Sequence, residues 1–154
     1  MKAKSTAVSP LEAHLGYWLR FVSNQVSHAF SLKVAERGVT MVEWVVLRKL
    51  YDCDAMAPSV LAEKIGMTRG AISKIVDRLE AKGLLKRTTS NEDRRYLALA
   101  LTPQGRAIVP KLAALADRND AEFFDHLNAD ERDAIKNAMQ DIVRRQGLKS
   151  VPVD

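Results

Sequence analysis

The strongest constraint on the fold is a change of hydrophobic period at Gly83. Before it, Ile72, Ile75, Val76 and Leu79 recur at three- and four-residue steps, the stripe of an amphipathic helix. Thr68 caps that helix and Gly83 stops it. After it, Leu84 to Thr89 reads as a strand and Ser90-Asn91-Glu92-Asp93 as a polar turn. Arg95 to Leu101 is a second strand, with Arg95, Leu97, Leu99 and Leu101 alternating with Tyr96, Ala98 and Ala100. Both of its sides are fairly apolar, so its inward face stays open. Upstream, Pro58 opens a shorter helix that turns Leu61, Ala62 and Ile65 inward and ends at Gly66, and Ala57 gives its start no capping side chain. Two short helices so close together form a helix-turn-helix, and the hairpin that follows is a wing.

Longer helices flank this unit. Ser9-Pro10-Leu11-Glu12 predicts a helix start capped by Ser9, and Leu11, Leu15, Trp18, Val22, Val26 and Phe30 continue as one stripe towards Arg37-Gly38. Thr40-Met41-Val42-Glu43 is a capping box. It opens a helix with Val42, Val45, Val46, Leu47 and Leu50 on several sides, expected to be the most buried. Thr102-Pro103 restarts helix, with Ile108, Leu112, Leu115, Phe123 and Leu127 along it. Asn128-Ala129-Asp130-Glu131 boxes a last helix that carries Ile135, Ala138, Met139, Ile142 and Val143 and stops near Gly147. The expected fold class is mainly α with a small β-hairpin wing.

A winged helix-turn-helix needs fewer than about 100 residues. The stripes of the outer helices have no sheet to pack on. Burying them between two chains is the economical solution, so a homodimer is expected. The division is 1–38 as an N-terminal dimerisation helix, 39–105 as the winged unit and 106–154 as C-terminal dimerisation helices, intertwined as one domain. A two-fold dimer would present two copies of the Thr68 helix about 34–36 Å apart, one DNA turn.

Charge says which part faces a polyanion. The 154 residues carry a net charge of +5. Between Lys64 and Arg95 there are nine bases and four acids, whereas between Asp117 and Arg145 there are eight acids and five bases. A basic middle beside an acidic end suits double-stranded DNA as partner. On the capped helix the apolar stripe sends Arg69, Gly70, Ser73, Lys74 and Asp77 to the opposite face, with Thr68 at the tip and Arg78 nearby. Small or polar residues at the leading end and donors along one face are what a major groove admits. Gly70 lets a base edge or phosphate approach, and the helix N-terminus adds partial positive charge near Thr68. Arg69, Ser73 and Lys74 are the candidate base readers. On the hairpin, Lys86 and Arg87 lie on the incoming strand, and Asp93, Arg94 and Arg95 sit at the tip. An arginine on a hairpin tip can enter a narrow minor groove, held in one rotamer by an adjacent aspartate. Each of these features would also serve as an ordinary solvated surface.

Asp93-Arg94-Arg95 followed by Leu99-Ala100-Leu101-Thr102-Pro103-Gln104-Gly105 resembles the wing-to-helix signature of the MarR family of winged-helix regulators. Leu61-Ala62-Glu63-Lys64-Ile65-Gly66 and Leu79-Glu80-Ala81-Lys82-Gly83-Leu84-Leu85 are similar to its helix-turn-helix, and the element order covers nearly the whole chain. The resemblance implies that Arg95 is the minor-groove residue, Asp93 its positioner and Arg94 a phosphate contact. It also implies a homodimer, a near-palindromic operator, and repression relieved by a small ligand or by oxidation. Family ligands bind between the dimerisation helices and the winged unit. The candidate walls for a small aromatic or phenolic effector are Tyr17, Trp18, Phe21, His28 and Trp44, which would serve equally as core or interface aromatics.

Other chemistry is poorly supplied. The single cysteine, Cys53, cannot make an internal disulfide, and a reducing cytoplasm is the default compartment. Asp52 and Asp54 flank it and should blunt its reactivity, and the oxidation-sensing members place their cysteine near the first helix, where this chain has none. His14, His28 and His126 are far apart, so no metal site and no cofactor are expected. Neither a nucleophile elbow nor a phosphate loop is visible, which speaks against an enzyme. No apolar run of about 18 residues suggests a membrane span, and no apolar stretch follows the N-terminal lysines as a secretory signal requires. The reading is a DNA-binding transcriptional regulator, more specifically a repressor. The alternative is a ligand-binding dimer on the same scaffold with no dependence on DNA.

Overall fold

The computed structural model describes residues 7–89 and 97–149. A single 3-10 turn, Leu11–Ala13, precedes α1 (Leu15–Ala35), α2 (Met41–Tyr51), α3 (Pro58–Ile65) and α4 (Arg69–Ala81). The hairpin β1 (Leu85–Thr89) and β2 (Leu97–Leu101) follows, then α5 (Pro103–Phe124) and α6 (Ala129–Gln146). Among the described residues no helix is long and apolar enough to cross a membrane.

The N-terminus corrects the expected helix start. Pro10, not Ser9, precedes the first turn, and no side chain caps it. The ring Nδ1 of His14 lies 3.1 Å from the Pro10 carbonyl and 3.2 Å from that of Leu11, which seals the turn before α1 begins. Leu127 likewise lies beyond α5, which ends at Phe124. Leu84 lies in the turn that closes α4 rather than in the strand, since its N–H donates to the Leu79 carbonyl at 3.0 Å. That bond, with Gly83 at φ 73°, closes the helix in the left-handed manner glycine permits.

The capping boxes at Thr40 and Asn128 both form. At Thr40 the box does more than start α2. Glu43 accepts the Thr40 N–H at 2.9 Å, and its carboxylate is buried. Lys82, after α4, donates to that carboxylate at 2.7 Å and to the Gly38 carbonyl at 2.8 Å. Burial of a carboxylate is tolerated when it is paired in this way. The pair ties the start of α2 to the end of α4.

The core gathers around α2. Val46, Leu47 and Leu50 pack with Leu61 of α3, the α4 stripe Ile72, Ile75, Val76 and Leu79, and Val109 and Leu112 of α5. β1 and β2 pair antiparallel from Leu85↔Leu101 to Thr89↔Leu97. The inward face of β2 is that of Leu99 and Leu101, although the small Ala98 and Ala100 are buried as well and only Leu97 is exposed. Met56, between α2 and α3, adds a bridge that composition did not suggest, exchanging bonds of 2.9 and 2.7 Å with Leu99. The hairpin is therefore pinned at its root. α5 is seated equally closely on the turn that leads into the hairpin. Thr102 Oγ1 donates to the Gly83 carbonyl at 2.6 Å and accepts the Gly105 N–H at 3.0 Å. A Cβ at Gly105 would collide with the Leu84 carbonyl.

Candidate nucleic-acid interface

Thr68 Oγ1 accepts the Ala71 N–H at 3.1 Å, which fixes where α4 begins. With Ile72, Ile75, Val76 and Leu79 buried, the rotation of the helix is set. Thr68, Arg69, Gly70, Ser73, Lys74 and Arg78 are all exposed, and the first turn is free of acids. A Cβ placed on Gly70 meets nothing within 4 Å, so the glycine leaves the leading end of the helix open rather than relieving an internal clash. Gly70, Ser73 and Lys74 share the outward side of the helix, and Arg69 and Arg78 are exposed on its two flanks.

Lys86 and Arg87 reach solvent from β1. Arg87 does so with a partner that sequence reading missed. Its guanidinium donates to Asp77 Oδ1 at 2.6 Å and to Glu80 Oε1 at 2.8 Å, both on α4. The hydrogen bond to Asp77, then that to Glu80, holds the arginine above its ordinary pKa. The signal was the i, i+3 spacing of Asp77 and Glu80, which makes the two carboxylates neighbours on the helix surface, within reach of one side chain. Asp93, Arg94 and Arg95 lie outside the described residues.

The five candidate effector residues divide into groups. Tyr17 stacks edge-on with Trp18 at 5.2 Å and lies 6.2 Å from Phe21. Trp44 packs against Phe30 at 6.4 Å. Tyr17 and Phe30 are separated by about 20 Å along α1 at 1.5 Å per residue. His28 is exposed. Within one chain these side chains do not enclose a common pocket. Cys53 is half-buried, with Sγ donating to the Leu50 carbonyl at 3.4 Å. Arg106 of α5 donates to the carbonyls of Tyr51 and Cys53 at 3.2 and 2.9 Å, which caps the end of α2. Among the described residues no group of three or more His, Cys, Asp or Glu could hold a metal ion.

Where α1 crosses α5, Lys33 donates to Asn119 at 3.0 Å and to Glu122 at 2.7 Å, and buried Asn119 donates to the Val26 carbonyl at 3.2 Å. The bond from Lys33 holds the Glu122 carboxyl below its ordinary range. Asn119 was legible as a polar interruption four residues after Leu115 and four before Phe123. α6 is the least covered of the helices. α6 buries no residue, and Ile135, Met139, Ile142 and Val143 are all 44–47% exposed. A groove of about 360 Å³ between α5 and α6 is lined by Phe124, Leu127, Ile135 and Met139, with Asp120, Arg132, Asp133 and Lys136 around them.

A helix-turn-helix with a pinned hairpin directly after its second helix defines a winged helix-turn-helix protein. The sequence model of the MarR family matches residues 39–97. The chain belongs to the MarR family. It is 31% identical over 110 residues to the HTH-type transcriptional regulator PapX of Escherichia coli, an alignment spanning 71% of this chain and 66% of that one. Its fold is similar to that of BpsR of Bordetella bronchiseptica, solved to explain regulation of DNA binding by 6-hydroxynicotinic acid. That match has TM-score 0.77 and 25% identity, and covers 88% of this chain and 97% of that one. MarR from E. coli, solved as a cysteine-to-serine mutant with operator DNA, superposes with TM-score 0.76 at 22% identity over 84% of this chain and 93% of that one. These relatives are regulators, not enzymes.

Proposed function

We propose that the chain is a cytoplasmic, homodimeric transcriptional repressor that binds a pseudo-palindromic operator in double-stranded DNA. The observation that carries this reading is the outward surface of α4. Its rotation is set by four buried apolar side chains, and Arg69, Gly70, Ser73 and Lys74 are left facing out behind the Thr68 cap. In this reading Arg69, Ser73 and Lys74 meet base edges in the major groove, with Arg78 and Lys86 along the phosphates. Arg87 belongs to the same face. Arg95 enters the adjacent minor groove, Asp93 orients it, and Arg94 meets phosphate.

The dimer is supported by what one chain leaves uncovered. An amphipathic helix gains its stability by packing its apolar face. The apolar side of α6 and the exposed Leu15, Trp18, Phe21 and Val22 of α1 have nothing of that kind in one chain. A partner chain packed on residues 1–38 and 106–154 would cover them, leaving 39–105 for DNA. A small aromatic or phenolic effector fits the same assembly, because a second chain could close the Tyr17, Trp18 and Phe21 group against His28 and Trp44. BpsR responds to a ligand of that kind. No cofactor is invoked.

The test is selection of bound fragments from random duplex DNA by the purified protein. A two-fold related motif is expected, with affinity that falls steeply as salt rises. Enrichment of no motif, with an aromatic acid still bound, would favour the ligand-binding dimer without DNA.

A further inference from the structure

Asp77 presents a paradox for a helix that meets a polyanion. At 100° per residue it lies near the centre of the outward face of α4, between Gly70 and Ser73 in angular position, opposite the buried Ile72, Ile75, Val76 and Leu79. Glu80 stands on the flank of the same face, and both side chains are largely exposed, at 64% and 45%. Unanswered, two carboxylates there would repel the phosphates that Lys74 and Arg78 attract. Both are answered by one residue of another element. Arg87 sends one guanidinium nitrogen to each carboxylate, at 2.6 and 2.8 Å, in the forked geometry only arginine offers.

We infer that Arg87 serves DNA binding indirectly, as a positioning residue that neutralises Asp77 and Glu80 on the DNA-facing side of α4, and is not itself a phosphate contact. The inference rests on the proposed DNA-binding function. With the arginine in place the three groups carry one net negative charge. Without it they carry two, and without all three charges they carry none. A residue that screens can therefore be dispensed with once there is nothing to screen. A phosphate contact cannot.

The experiment uses the full-length protein and its selected operator, titrated at several salt concentrations. Arg87→Ala is expected to weaken binding by about 10-fold or more, most severely at low salt, where repulsion is least screened. The triple variant Arg87→Ala/Asp77→Asn/Glu80→Gln is expected to return to within about threefold of wild type. Asp77→Asn/Glu80→Gln with Arg87 intact is expected to bind at least as tightly as wild type. Arg87→Gln should repeat the pattern of Arg87→Ala should the alanine variant melt early, as thermal denaturation will show. A triple variant as weak as Arg87→Ala, or an Arg87→Ala protein that binds like wild type, overturns the inference. Failure of wild type to bind any duplex would instead strike the proposed function, so the two failures are distinguishable.

Discussion

Gly70→Ala should make the protein more stable and a worse DNA binder. Gly70 is the second residue of α4, its φ is not positive, and a Cβ there touches nothing within 4 Å. The folded state can therefore accept alanine without strain. Replacing a helical glycine removes backbone freedom from the unfolded chain, a gain of about 0.5–1 kcal/mol. Position near the helix start argues for the lower end. In a protein of this length that is a rise of about 1–4 °C in Tm. DNA binding should move the other way. If the duplex approaches the bare backbone at Gly70, an added methyl forces separation there, costing about 1–3 kcal/mol per subunit by analogy with an overpacked core. Summed over two subunits, that is a loss of about thirtyfold or more in operator affinity. Thermal melts and operator titrations on the same preparations separate the two effects. A higher Tm with unchanged affinity would refute the close approach at Gly70. A lower Tm would refute the geometry of α4 itself.

Arg95→Ala should weaken operator binding by about 1–3 kcal/mol and leave the melting curve unchanged; equal affinity would remove the hairpin tip from the mechanism. Gly105→Ala, which drives a Cβ into the Leu84 carbonyl, should destabilise the protein by about 1–3 kcal/mol, read as a fall in Tm. A neutral result would mean that α5 is not seated on the turn between α4 and β1 as described. Glu122→Gln tests the α1–α5 contact through pH. The carboxyl titrates below its ordinary value near 4.5 in the folded chain, because Lys33 holds its charged form. Its stabilisation is thus complete above that value and lost as pH falls through the lower, folded one. The Tm difference between wild type and variant should be present near pH 7 and shrink near pH 3, and a constant difference would contradict the role of Lys33.

What could be read from the sequence was local. Thr40, Thr68 and Asn128 cap because their oxygens reach an amide three residues on, a relation internal to four residues. The stripe Ile72, Ile75, Val76, Leu79 settled the outward face of α4 for the same reason: the helix repeat is intrinsic to the chain. The contacts that escaped notice join distant elements. Arg87 finds Asp77 and Glu80 only because β1 folds back beside α4, and Lys82 finds Glu43 across 39 positions. Met56 pairs with Leu99 where no run of β-formers marks a strand. The break at His14 was hidden by Ser9-Pro10, whose capping pattern does not form: Pro10 itself precedes the single turn Leu11–Ala13, and no side chain caps it. The five aromatic and histidine residues were grouped by chemistry alone: Tyr17, Trp18, Phe21 and His28 lie along α1, whereas Trp44 is on α2 against Phe30.

The central claim is that two copies of α4 and two hairpins engage one face of the same duplex. Hydroxyl-radical footprinting of the purified protein on its selected operator measures this directly. The account predicts two-fold symmetric protection with its two major-groove centres about 34–36 Å apart, flanked by minor-groove protection that disappears in Arg95→Ala. A single unsymmetrical footprint, or protection with no relation to the DNA turn, would contradict it.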